Sequence, residues 1–174
     1  DTVAYEKREV KHAVILFYER DEQVAERLDK SLLLMQRKGE LKTYSRLHIQ
    51  PGSNVQETIE SHIASSEVVI IVLSIDLNQD LIFSMIEKHK EEKTDLLVVY
   101  ANYVDVELIE EFQKNKIPVT PIMPVAEYAN KDFAYQKITK SIRAQLVSNK
   151  SKLPKPKTKK LLILLAARRK IPND

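Results

Sequence analysis

VVIIVLS, residues 68–74, is the stretch whose reading decides the fold. Its first six residues are apolar without a break, and Val68, Val69, Ile70, Ile71 and Val72 are all branched at Cβ. A strand with one wet face alternates apolar and polar side chains. This one offers water no face, so it belongs in the middle of a parallel sheet covered on both sides. Ser74 then stands at its carboxyl end.

Working outward, AVILFY (13–18) is a second short apolar run of the same kind. After it Asp21 is placed to cap a helix, and Val24, Leu28, Leu32 and Met35 fall on one stripe that ends at Gly39. A weaker strand is expected over 41–46, then a Pro51-Gly52 turn and a helix over 54–65 capped near Ser53 or Asn54. Beyond the central strand the pattern predicts a helix over 76–92, a strand over 96–100, a helix over 104–115, a strand over 117–122 and a helix over 132–147. Strand and helix alternate with short connections, which calls for right-handed crossovers and a parallel sheet between two helical layers. The expected architecture is α/β: a three-layer sandwich with a five-stranded parallel sheet in flavodoxin-like order. Ligands of such sheets sit beyond the carboxyl ends of the strands, here at the loops that begin at Tyr18 and Ser74.

Composition narrows the chemistry. The 174 residues suffice for one domain and an appendage, and 43% hydrophobic with 30% charged is globular usage. No cysteine is present, which removes thiolate nucleophiles, disulfides and Cys-ligated metals and leaves a cytoplasmic home as the simple default. Gly39 and Gly52 are the two glycines, thirteen residues apart, so neither a P-loop nor a GxGxxG turn can form. The longest apolar run, LLILLAA (161–167), falls short of the roughly 20 residues of a spanning helix. The four histidines, His12, His48, His62 and His89, lack metal-ligand spacing and read as surface or strand-flanking residues.

Charge separates body from tail. From Ser148 onward nine Lys and Arg face the single acid Asp174, a balance of +8, so residues 1–147 carry −5 of the total of +3. The basic character belongs to the tail and gives no reason to expect nucleic acid on the body. The expected organisation is a domain over 12–147, a Pro/Lys linker over 148–159 and the start of a following domain or tail over 160–174. Because residue 1 is Asp, the chain reads as a piece of something longer.

Four segments in order carry a family resemblance: VILFYERDE (14–22), LKTYSRLHIQPGSNVQETIESHIASSEVVIIVLS (41–74), SIDLNQDLIFSMIEKH (74–89) and MPVAEYANKDFAYQKITKSIRAQL (123–146). The chain resembles a Toll/interleukin-1 receptor (TIR) domain of the bacterial type over roughly residues 12–147. The resemblance implies a self-associating effector or signalling module of bacterial defence that hydrolyses NAD, its substrate rather than a cofactor, to nicotinamide and ADP-ribose or a cyclic variant on clustering. It assigns Glu87 as the catalytic carboxylate, because cleavage of the nicotinamide–ribose bond builds positive charge that a fixed anion stabilises in the transition state. Tyr18, Arg46, Ser74 and Phe83 would line the NAD pocket, Phe83 standing where the family carries an aromatic residue. Pro51, Gly52 and Ser53 would form the loop through which copies join, and sensor or effector domains would be covalently attached. No metal and no membrane are expected.

An alternative stays open beside the enzyme: a catalytically inactive adaptor that mediates only TIR–TIR assembly. A phospho-acceptor receiver domain shares the sheet order, but Ser74-Ile75-Asp76 is a poor substitute for its acidic cluster.

Overall fold

The computed structural model describes residues 10–48, 54–75, 77, 79–91 and 94–148. Strands β1 (Lys11–Leu16), β2 (Leu41–Ser45), β3 (Val68–Leu73), β4 (Asp95–Tyr100) and β5 (Val119–Thr120) form one parallel sheet in the order β2-β1-β3-β4-β5. Between and after them run α1 (Glu22–Ser31), α2 (Leu33–Arg37), α3 (Val55–Ser65), α4 (Gln79–Lys90), α5 (Val106–Lys114) and α6 (Lys131–Ser148). The expected fold class is therefore the observed one: an α/β sandwich with flavodoxin-like strand order.

β3 takes the central place that its composition demands. All six of its residues are buried, and it pairs with β1 on one side and β4 on the other. Alternate side chains enter two cores, Val68, Ile70 and Val72 on one face and Val69, Ile71 and Leu73 on the other. The first core is closed by α1, α2 and α6 through Leu28, Met35, Ala134, Ile138 and Ile142. The second is closed by α3, α4 and α5 through Ile63, Ile82, Met85, Ile86 and Phe112. Each fully buried aliphatic side chain of this kind contributes about 1.5–3 kcal/mol, so the two apolar layers are the principal source of cohesion.

Two expectations on element extent are corrected. The helix expected from Asp21 to Gly39 is two helices that meet at Leu32, whose amide reaches both the Leu28 carbonyl (3.1 Å) and the Asp29 carbonyl (3.2 Å). Ser31 Oγ donates back to the Arg27 carbonyl at 2.8 Å, a contact that bends helices at such a point. The buried stripe Leu28, Leu32 and Met35 survives the break, because all three still face the first core. The last strand spans two residues instead of 117–122. Pro118 and Pro121 stand on either side of Val119–Thr120, and a proline has no N–H to give a ladder. Gly39, at φ 70°, ends α2 in the left-handed region that favours glycine, as expected.

Among the described residues no helix is long and apolar enough to cross a membrane. The linker and tail expected beyond residue 148 lie outside the described residues.

Candidate functional site

β1 and β3 are neighbours, yet the chain leaves them toward opposite faces, through α1 in the first layer and α4 in the second. Between their carboxyl ends lies the topological switch point, where such sheets open a crevice. Two sequence-selected residues meet there. Ser74 and Asp21 are both buried, at 5% and 8% exposure, and Ser74 Oγ donates a hydrogen bond to Asp21 Oδ2. A buried carboxylate needs such donors, since desolvation without them costs several kcal/mol. Asp21 was expected as the cap of the first helix. Its side chain makes no cap bond at the start of α1 and turns across to β3 instead. The Ser74 hydroxyl is correspondingly committed to the protein.

Beside the switch point, above β1 and β2, an open cleft of about 350 Å³ is lined by Phe17, Glu19, Glu22 and Arg46. Arg46 follows β2 on a short turn, Arg46–His48, and its Nη2 donates to Glu19 Oε1 at 2.9 Å. The pair is exposed, 43% and 73%, so its net worth is at most about 1 kcal/mol. Two carboxylates against one guanidinium leave the cleft with a small excess of negative charge. Tyr18, Ser74, Phe83 and Glu87 do not line it.

Glu87 lies elsewhere. α4 turns Ile82, Met85 and Ile86 onto the sheet, while Phe83 and Glu87, four residues apart, share an exposed face with Lys90. The Glu87 carboxylate is 66% exposed, and Lys90 Nζ donates to it at 3.2 Å. Counting from Gln79 at about 1.5 Å per residue, Glu87 sits roughly 12 Å down the helix from the carboxyl rim. The arrangement departs from the expectation of a carboxylate turned toward a sugar at that rim.

Pro51, Gly52 and Ser53 lie outside the described residues. Of the two candidate caps, Ser53 and Asn54, Asn54 caps α3, its Oδ1 accepting from the Glu57 amide at 3.2 Å.

Two features escaped the sequence reading. The first is a set of exposed apolar side chains at the carboxyl rim: Tyr18 after β1, Ile75 after β3, Tyr103 and Val106 after β4, Ile122 and Met123 after β5. Ile75 is 75% exposed and Ile122 95%. Isolated exposed apolar residues are ordinary, but repetition after four strand ends is a pattern that only the topology reveals. The second is the role of two histidines read as bland. His62 on α3 stacks on Tyr44 of β2, ring centres 3.4 Å apart at 15°. His48 is held on both ring nitrogens: Nδ1 accepts from the Ser45 amide at 3.2 Å, and Nε2 faces Asp29 Oδ2 at 3.4 Å. The signal was present in the spacing, since Tyr44 alternates with the buried Thr43 and Ser45 and therefore faces α3.

Among the described residues no group of three or more His, Asp or Glu side chains gathers as a metal ligand set. No protein-family model matches the chain, and no curated protein matches it.

Proposed function

We propose that the chain is a self-associating TIR-type module, a part of a bacterial defence or signalling protein whose work is to bring attached sensor and effector domains together. The proposal rests on the sequence resemblance and on a sheet whose strand order agrees with it. The observation that carries the docking role is the repetition of uncovered apolar side chains after β1, β3, β4 and β5, on the same end of the molecule. The partner is a second copy, and the Pro51-Gly52 segment follows from the resemblance as its other contact.

Within this reading, assembly has more support than NAD hydrolysis. The carboxylate assigned to catalysis is water-exposed and neutralised by Lys90, where its field is screened and its effect on a forming sugar cation is small. The cleft at Arg46 has size for part of a dinucleotide but is rimmed by Glu19 and Glu22, whose charge repels a diphosphate.

The test joins both activities. Sedimentation over a wide concentration range should show self-association in the wild type and its loss in the double variant Ile75→Glu/Ile122→Glu, with circular dichroism unchanged. Nicotinamide release from NAD by the clustered protein is followed in parallel, beside Glu87→Ala. A monomer at every concentration defeats the proposal. NAD cleavage abolished by Glu87→Ala moves the conclusion to the enzyme.

A further inference from the structure

The edge of the sheet at β2 carries a chain of ring and hydrogen-bond contacts that the docking role does not use. Tyr44 stands at its centre, stacked on His62 of α3 and 6.0 Å from the tilted ring of His48. Beyond His48, Asp29 of α1 faces Nε2 and also accepts from Thr43 Oγ1 at 2.6 Å. One helix from each face of the sheet is thereby tied to the same edge strand.

The two histidines sit in opposite electrostatic surroundings. His48 has the Asp29 carboxylate against Nε2 and the Ser45 amide against Nδ1. His62 faces His12 from β1 and Lys42 from β2, which stand side by side in register. Burial, then His12, then Lys42 hold its imidazole below the usual value of 6.5. Glu67, whose carboxylate interacts with His12, also interacts with Lys11 and Asp95 at the amino end of the sheet. A cation at position 62 therefore stands beside the ammonium of Lys42 and the ring of His12.

We propose that the Tyr44–His62 stack is an acid-sensitive latch that seats α3 on the edge strand, closed while His62 is neutral and released as it gains a proton. The sign follows from linkage: a base that the folded state holds less basic leaves stability intact above 6.5 and removes it as pH falls through the folded value. Release weakens the docking of Ile59 and Ile63, the residues by which α3 meets the second core. The latch is independent of the assembly reading, because it concerns the seat of one helix in a single copy.

Two measurements test it. In a histidine-resolved NMR titration, the ring of His62 should titrate below 6.5, and Lys42→Gln should move it upward. Amide protection factors of α3, relative to those of α5, should fall between pH 7.5 and 5.5 in the wild type and stay level in His62→Phe, which keeps a stacked ring without a charge. An equal fall in His62→Phe, or a His62 midpoint at or above 6.5, overturns the proposal. Should His62→Phe not fold, the Lys42→Gln titration decides alone, and an unmoved midpoint refutes the latch.

Discussion

Replacing Ser74 by alanine isolates the interaction that ties the first loop to the central strand. The hydroxyl is 5% exposed as a residue and its acceptor, the Asp21 carboxylate, 8%, so neither group exchanges its partner for bulk water when the bond is cut. A hydrogen bond to a charged group contributes about 1.5–3 kcal/mol, against about 1 kcal/mol between neutral groups. The expected loss for Ser74→Ala is therefore about 2 kcal/mol, which in a chain of this size lowers Tm by roughly 4–8 °C. Asp21→Asn keeps an acceptor for the hydroxyl while removing the buried charge, so its loss should be smaller, about 1 kcal/mol. The double variant should be less damaged than the sum by about 1 kcal/mol, since the two residues share one bond. Urea and thermal unfolding followed by circular dichroism at pH 7.5 measure all four proteins. A Ser74→Ala melting point within about 1 °C of wild type, or full additivity in the cycle, would refute the reasoning and return Ser74 to the pool of ligand-facing groups.

Other outcomes follow from the same structure. Phe112→Ala, which empties the largest fully buried side chain of α5, should cost about 3–5 kcal/mol in unfolding free energy; a loss under about 1.5 kcal/mol would mean that the second core closes over the gap. Glu67→Gln addresses a half-buried carboxyl raised above its usual 4.5 chiefly by burial. The folded state resists its ionisation, so wild-type stability contributed by this group is complete below 4.5 and declines as pH rises through the folded value. Glu67→Gln should accordingly raise Tm at pH 7 and leave it level at pH 4, and an equal shift at both would contradict this.

The sequence discloses the layers better than the site, for a physical reason that particular residues make plain. Residues 68–73 announce their burial because a doubly covered strand has no polar side chain to spare, and the first strand does the same. Helix stripes such as Ile82, Met85 and Ile86 repeat with the helical period and locate the sheet-facing side of α4. What periodicity omits is the direction of the single polar residue. Asp21 precedes a helix in the manner of a cap, but its oxygen finds a stronger demand in Ser74, fifty-three residues away. Glu87 has the spacing from Ser74 that the resemblance asks for, yet the angle around α4 that buries Ile86 turns its neighbour outward. The break at Leu32 and the brevity of β5 came from a serine hydroxyl and two prolines, local chemistry that hydropathy averages away. Alternation along β2 turns Tyr44 toward α3 but does not say which residue of that helix it meets.

The proline-bracketed β5 gives the two borders of the sheet unequal fates. An outermost strand with free amides and carbonyls invites a stranger to add itself, and proteins that persist at high concentration must discourage that invitation. On the β5 side, two residues between prolines give an incoming strand too little backbone to grip. On the opposite border five residues, Leu41–Ser45, form the strand and carry one exposed lysine, Lys42, as deterrent. Misassembly by strand addition, amyloid nucleation included, should therefore begin from the β2 border.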